Sequence, residues 1–361
     1  MGAKKMSIKG IDLFCGVGGL SHGLAKAGIS IVVGVDLDDQ CRFPFEMNNA
    51  GDFYLEDIES LTGRQVRKWL GNDGSTRLLA GCAPCQPFSQ YSRTKSKDWG
   101  LLDSFTRLVR ECKPELVTME NVPGISKAAV YKRFINALRE LNYHVTELRS
   151  LNCLEYGVPQ RRKRLVVIAS RLGSVEFIKP THSKKKYRTV RQTIGHLRPI
   201  IAGGRSRTDP LHTSAGLSKR NLRRIEASKP GGTWRDWPKS LVTECHGKET
   251  GTSYPGVYGR MEYDKPSPTI TTQAHGYGSG RFGHPTQHRA ISLREAAMLQ
   301  TFPQHYKFID REEKINFTKL GRLIGNAVPV KLGEVIGKSL VEHVASLAKT
   351  NRCRTGSQKR R

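Results

Sequence analysis

Acid is what this sequence has too little of. In 361 residues, 32 Asp and Glu stand against 60 Lys and Arg, a formal net charge of +28. An excess of that size suits a polyanionic partner, and nucleic acid is the commonest polyanion. Long apolar runs are absent too. Nothing approaches the roughly 18 consecutive apolar residues of a spanning helix, so no membrane partner is expected. The opening MGAKKMSIKGIDLF has no apolar stretch before a small-residue cleavage site, so no secretory leader is expected. Cysteine is sparse, and several of the 8 lie inside apolar or Gly-rich motifs. They read as reduced thiols, which makes the cytoplasm the expected compartment. Two phosphate signatures are missing as well. There is no GxxxxGK[ST], which removes an ATP P-loop. Ser21 stands where G-x-G-x-x-G needs its third glycine, which disfavours a dinucleotide.

The charge that is present is unevenly placed. Residues 1–60 hold 5 basic and 9 acidic side chains, whereas 181–288 hold 19 and 7. The last segment, Lys349 to Arg361, has six basic residues and no acidic one. The middle segment is therefore expected to meet phosphate, with the tail as a disordered basic arm.

The length suggests about two domains at roughly 150 residues each. Met6–Phe14 reads as a buried strand, Gly16–Gly19 as a turn, Leu20–Ala27 as a helix ended by Gly28, and Ile29–Val35 as a second strand. Arg77–Gly81, Leu116–Glu120 and Arg164–Ala169 continue the series. Strands alternating with helices predict an α/β fold with a doubly wound, mostly parallel sheet. From about Thr181 the texture becomes loop-rich, and helical patterns return at Leu293–Gln300 and Val328–Leu347. The expected organisation is a catalytic and cofactor domain over 1–180, a smaller inserted domain over 181–288, and a return to the first domain over 289–348.

A Gly-rich turn between a first strand and a helix lets a ligand approach the backbone at the carboxyl edge of the sheet. Asp36 closes the second strand about 20 residues after the turn, where an acid takes two ribose hydroxyls. Asp57 follows a third short apolar stretch, where a carboxylate can accept from an adenine amino group. Alone, each acid is more often a solvated turn residue. Together with the turn they suggest an adenosine without a required pyrophosphate, such as S-adenosylmethionine.

At Gly81-Cys82-Ala83-Pro84-Cys85-Gln86-Pro87-Phe88-Ser89 the pattern becomes specific. It resembles the nucleophile loop of the cytosine-5 DNA methyltransferase family, which centres on Pro-Cys-Gln. Asp12–Leu20 (DLFCGVGGL) resembles that family's first cofactor motif, Glu120-Asn121-Val122 its Glu-Asn-Val, and Gln160 to Arg164 its Gln-x-Arg-x-Arg. Arg289–Pro303 and Gly325–Pro329 match its two late motifs, so the resemblance runs over about residues 10–345 in order. One departure is Asp36, where the family usually has Glu. The resemblance implies an S-adenosylmethionine-dependent methyltransferase fold and a cofactor set of Phe14, Gly16, Gly18, Gly19, Leu20, Asp36, Leu37, Asp57, Ile58, Pro84, Asn326 and Val328. It also implies that the inserted segment recognises double-stranded DNA, with Gln86, Ser89, Arg260, Thr271 and Arg281 as contacts.

Carbon 5 of cytosine is a poor nucleophile. A thiolate added to carbon 6 makes an enamine whose carbon 5 can attack a sulfonium methyl. Cys85, stiffened by Pro84 and Pro87, is the expected nucleophile. Cys82 reads as a packed small residue. The Cys82–Cys85 spacing also fits half a zinc site, but no second C-x₂-C exists, so no metal is expected. By the resemblance, Glu120 hydrogen-bonds or protonates ring nitrogen 3, while Arg162 and Arg164 contact the base's carbonyl oxygen and adjacent phosphate. Arg162 and Arg164 are expected to alternate on one strand face and so to point into one site. A duplex base must be extruded for this chemistry. Trp234 and Trp237 fit either that task or the small domain's core.

The expected function is DNA (cytosine-5) methylation at a specific site by a monomer bound to the nucleoid's DNA. By the resemblance it would be of restriction-modification type, paired with a cognate restriction endonuclease. Two alternatives share these features: an RNA cytosine-5 methyltransferase of the same fold, and a catalytically inactive DNA-binding relative. Intact Cys85, Glu120, Arg162 and Arg164 argue against the second. An NAD-linked oxidoreductase is opposed by the missing glycine and by the charge.

Overall fold

A computed structural model describes residues 7–84, 100–247 and 255–358. Cys85, Gln86 and Ser89 lie outside these described residues. The chain divides into two compact units. The first comprises Met1–Asn152, Lys163–Pro180 and Val328–Arg361, the second Cys153–Arg162 and Thr181–Ala327.

The first unit opens with β1 (Ile8–Leu13), α1 (Gly19–Lys26), β2 (Ser30–Asp36), α2 (Arg42–Glu46), β3 (Asp52–Leu55) and α3 (Gly63–Leu70). It continues with β4 (Thr76–Gly81), α4 (Gly100–Cys112), β5 (Leu116–Asn121), α5 (Ala129–Glu140), β6 (His144–Asn152) and β7 (Lys163–Ser170). The strand order is β3-β2-β1-β4-β5-β7-β6. β7 runs antiparallel to both neighbours, and the other pairings are parallel. This is the expected doubly wound, mostly parallel sheet. β5 is buried at all six positions, as a strand covered on both faces must be. β6 is mostly half-buried or exposed, and its mixed polar sequence HVTELRSLN gave no strand signal.

One core cluster joins Ile11, Leu13, Leu79, Val117, Phe105 and Phe134, which places α4 and α5 on a single face. α1 contributes nothing to it and packs instead on the C-terminal helix. The approach is close: a Cβ on Gly23 would lie 2.3 Å from the Val330 carbonyl oxygen. Only glycine permits that crossing.

The second unit is built of loops and short helices, α6 (Val190–Ile194), α7 (Lys219–Ala227), α8 (Glu244–Gly247), α9 (Leu293–Leu299) and α10 (Phe317–Asn326). α11 (Val330–Gln358) then returns to the first unit. Two expectations need correction. Residues 289–327 group with the second unit, because α9 is buried at every position and is tied there. Arg294 pairs with Asp209 at 2.6 Å, and the Leu293 and Arg294 amides donate to Thr213 and Leu211. The basic tail is helical as far as Gln358, since α11 simply continues. No helix among the described residues is long and apolar enough to cross a membrane.

Candidate active site

The strand order reverses between β1 and β4, so their carboxyl ends flank the crevice where an open α/β sheet binds its ligand. The turn after β1 enters that crevice. Phe14, Gly16 and Gly18 have φ of 61°, 52° and 84°. Glycine supplies that left-handed conformation at two of the three positions, and the Cys15, Gly16 and Gly18 amides donate within the fold, to the Val35 carbonyl, Asp36 and the Cys15 carbonyl. The Cβ position of Gly16 opens on free space, with no atom within 4 Å.

Two acids hold this turn. Asp36 accepts from the Gly16 amide at 2.8 Å and from the Asp38 amide at 3.0 Å. Burial lifts its pKa above the ordinary carboxylate value, while the Asp38 and Gly16 amides pull it down. Asp12, fully buried on β1, accepts from the Ser21 hydroxyl at 2.6 Å, and its other oxygen has no hydrogen-bond partner. Burial pushes Asp12 up to about 7, against the pull of Ser21 and with a further push from Asp36. Ser21 therefore does more than interrupt a glycine pattern; it is the donor to a buried acid. The sequence motif contains both residues, but nothing in it tells which side chain is buried.

The other expected cofactor residues are distributed as follows. Gly19 and Leu20 are buried at the start of α1, Phe14 is half-buried, and Leu37 is 68% exposed beside Asp36. Asp57 accepts from the Glu59 amide at 2.9 Å. Ile58 packs in the core, so only its backbone is free to face a ligand. Pro84 is exposed at the end of the described loop. Asn326 is exposed at the end of α10 in the second unit, and Val328 is buried in the first.

Beside this turn, the loop leaving β4 is fastened to the end of β5. The Cys82 thiol donates to Glu120 Oε2 at 2.9 Å, and Asn121 Nδ2 donates to the Ala83 carbonyl at 2.9 Å. Arg164 on β7 brings Nε to 2.9 Å from Glu120 Oε1, within ion-pair distance although the hydrogen is not aligned for a bond. Glu120 is 3% exposed. The structure thus brings together Glu120, Arg164 and the three residues that precede Cys85. Cys82 is more than a packed small residue, and its sequence neighbourhood gave no sign of its partner.

Arg162 is placed differently. It precedes β7 rather than alternating with Arg164 along it. It belongs to the second unit, where its guanidinium donates to the Ile270 carbonyl at 3.3 Å and the Ala327 carbonyl at 3.4 Å. Gln160 in the same segment bonds Gln300 at 2.7 Å and the Ile270 amide at 3.1 Å.

Several expected DNA contacts are internal in the second unit. Arg260 is 4% exposed and donates to the carbonyls of Ile225, His284 and Pro285. That corrects its assignment as a surface contact. Arg281 is half-buried on the Gly232 carbonyl. Thr271 is half-buried, with its backbone so close to Gly325 of α10 that a Cβ there would clash. Trp234 and Trp237 are core residues: the Trp237 indole donates to Ser228 at 2.8 Å, and Trp234 stacks on His246 at 4.4 Å. The exposed basic groups are elsewhere. Lys219, Arg220 and Arg223 line the outer side of α7, and Arg205, Arg207 and Arg311 line a surface depression of about 660 Å³.

Among the described residues no group of three His, Cys, Asp or Glu is placed to hold a metal ion. Cys15, Cys41, Cys82, Cys112 and Cys153 form no disulfide with one another.

Residues 8–342 match the family described as C-5 cytosine-specific DNA methylase. The chain is 49% identical over 350 residues to the Type II methylase M.HgiDII of Herpetosiphon aurantiacus, covering 95% of this chain and 98% of that protein. It is 33% identical to the Type II methyltransferase M1.BsuMI of Bacillus subtilis, covering 91% and 79% respectively. A prophage-encoded DNA modification methyltransferase of E. coli has the same fold, with a TM-score of 0.71 at 23% identity over 93% of this chain and 99% of that one.

Proposed function

The chain belongs to the C-5 cytosine-specific DNA methylase family and is a DNA (cytosine-5)-methyltransferase; from that premise we propose that its methyl donor is S-adenosylmethionine and that Cys85, Glu120 and Arg164 carry the reaction. The observation behind the reading is the clasp at the end of β5, which fixes the loop entering Cys85 beside a buried carboxylate and a guanidinium.

The cofactor end fits the donor chemically. It is rich in Asp and has few cations, which suits a ligand carrying a sulfonium and an ammonium group. Asp36 and Asp57 accept from the adenosine, Leu37 offers it an apolar surface, and other amides of the Phe14–Leu20 turn meet the carboxylate. Room beside Gly16 leaves the backbone accessible. When bound, S-adenosylmethionine supplies an electrophilic methyl group.

The chain's own residues do the rest. The Cys85 thiolate adds to carbon 6 of an extruded cytosine, and carbon 5 becomes nucleophilic. Glu120 holds the proton shared with ring nitrogen 3 as charge builds on the ring. Arg164 keeps that carboxylate in place with a fixed positive charge. After methyl transfer, loss of the carbon 5 proton and release of Cys85 restore the aromatic ring.

The Type II names of the relatives support a restriction-modification role, protecting host DNA from an endonuclease that reads the same site. On this reading the enzyme acts in the cytoplasm, as a monomer, on double-stranded DNA. Expression in cells followed by bisulfite sequencing of plasmid DNA tests the activity and reads the target. Cytosines protected at one recurrent sequence are expected, and uniform conversion would overturn the reading. Asp36→Ala should raise KM for S-adenosylmethionine and leave DNA affinity unchanged; the reverse pattern would remove Asp36 from the cofactor site.

A further inference from the structure

Cys82 touches Glu120 in the clasp, yet the proposed reaction gives it no task. It follows β4 directly, and its amide donates to the Leu13 carbonyl at 3.3 Å, so its backbone is fixed against β1. Its thiol lies 2.9 Å from Glu120 Oε2, while the opposite oxygen faces Arg164 Nε at 2.9 Å. The next residue is held independently, because Asn121 bonds the Ala83 carbonyl and also receives the Val122 amide at 2.8 Å. Two neighbouring side chains of β5 thus meet two neighbouring residues of one loop, with Arg164 of β7 at the other oxygen of Glu120.

We infer that Cys82 is a positioning residue for methyl transfer: its thiol holds the Glu120 carboxylate in one orientation and locks it to the loop that carries Cys85. The inference rests on the reading of Glu120 and Cys85 given above. A thiol suits the task physically. It is a weak donor, strong enough to select a carboxylate rotamer and weak enough to yield that oxygen when a ring nitrogen arrives. A hydrocarbon at this place would leave a buried carboxylate oxygen without its donor, which costs orientation as well as energy.

The test uses the full chain with Cys82→Ala and Cys82→Ser. Single-turnover methylation of target DNA is measured alongside binding of S-adenosylmethionine and of DNA. A further readout needs no methyl donor: addition of Cys85 to carbon 6, protonation of carbon 5 by water and reversal exchange the carbon 5 hydrogen with solvent. Cys82→Ala is expected to slow both methylation and exchange roughly tenfold, the effect of one lost hydrogen bond to a charged group. Both affinities should stay within about twofold. Cys82→Ser keeps a donor and should restore the rate to within about threefold.

A wild-type rate in Cys82→Ala would overturn the inference. So would equal impairment of both variants, because the sulfur would then matter by packing. If Cys82→Ala does not fold, Cys82→Val takes its place: it removes the donor but fills the space, and a wild-type rate in it overturns the inference. Glu120→Gln separates the two levels. If wild type methylates no cytosine, or Glu120→Gln matches wild type, the underlying reading fails. If Glu120→Gln is inactive while Cys82→Ala is normal, only the role of Cys82 falls.

Discussion

A surface arginine meets different surroundings in the first unit and on α7 of the second. In the first, arginines are answered by carboxylates: Arg77 by Glu115, Arg107 by Glu111, Arg110 by Glu140, and Arg133 by Asp103. In the second, Lys219, Arg220 and Arg223 project from α7, and among the described residues none has a carboxylate within ion-pair distance. Other basic residues there do have partners, some inside, such as Arg289 on Glu295 at 2.7 Å and Arg224 over the Trp237 ring, and some at the surface, such as Arg191 on Asp264 at 2.7 Å. With 28 basic and 12 acidic residues the second unit carries a net +16, and with 32 and 20 the first carries +12, so what sets the second apart is the row of basic side chains on α7 rather than the total. On the proposed function, α7 is the expected polyanion surface, and bond-making is expected in the first unit. Each substitution below should disturb one property and spare the other.

The largest effect is expected at the reacting thiol. Cys85→Ser should lower methyl transfer by at least about a thousandfold, because a serine hydroxyl is scarcely ionised at neutral pH. DNA affinity and its salt dependence should stay at wild-type values. With target DNA carrying 5-fluorocytosine, the fluorine blocks the final elimination. Wild type plus S-adenosylmethionine should then give a complex stable to denaturing electrophoresis, and Cys85→Ser none. A trapped peptide containing Cys82 instead of Cys85 would contradict the assignment.

Asp12 sharpens the contrast from the other side, because the first unit buries an acid whose second oxygen has no partner. Burial lifts it to about 7 from 3.8 in the unfolded chain. Between about pH 4 and 7 the unfolded chain has released this proton and the folded chain still holds it. Stability from this group is thus fully present below pH 4 and is lost as pH rises to about 7. The loss is at most on the order of 4 kcal/mol. Asp12→Asn should remove this slope, so the difference in unfolding free energy between variant and wild type should widen over that window. A constant difference would show that Asp12 titrates normally.

On the second unit, changing Lys219, Arg220 and Arg223 together to Gln should weaken DNA binding by ten- to a hundredfold at moderate salt, roughly what two or three phosphate contacts supply. Wild-type log affinity should fall against log salt with a slope of roughly −4 to −8, and the triple variant should flatten it by about 2 to 3. The single-turnover rate at saturating DNA should hold. An unchanged slope would remove α7 from the DNA surface.

How much of this was legible in the sequence follows from what each signal depends on. Strands buried on both faces, β1, β2, β5 and β7, announce themselves as apolar runs bounded by turns, because burial alone sets their composition. β6 does not, since it lies at the sheet edge. The Phe14–Leu20 turn and Glu120 were readable because glycine spacing and ordered motifs are local. The partners of Cys82 and the interior role of Arg260 were not, because each depends on residues far away in the chain: Glu120 in one case, His284 and Ile225 in the other. An arginine in a loop looks the same in sequence whether it faces solvent or backbone carbonyls. The limits of the second unit were missed for a similar reason. α9 reads as an ordinary amphipathic helix, and only its ties to Asp209, Leu211 and Thr213 show which core it joins.

The smallest expected effects make the sharpest test, because they change the same charge on each unit. Arg110→Gln removes one positive charge from an ion pair with Glu140 whose side chains are 48% and 61% exposed. Exposed pairs of this kind contribute about 0.2 to 1 kcal/mol, since solvent screens the attraction and two long side chains lose freedom. Thermal unfolding should shift slightly, and the salt slope of DNA binding should not move, because this arginine is already answered by a carboxylate. Arg223→Gln removes one positive charge from α7, where among the described residues none answers it. Its stability should be unchanged within error, whereas the salt slope should flatten by roughly 0.9, the value of one lost phosphate contact on duplex DNA. Both variants have the same net charge, so a general electrostatic attraction between enzyme and DNA would affect them equally. Equal slopes in the two would break the contrast between the units; unequal slopes of the stated size would locate the DNA-facing charge on the second.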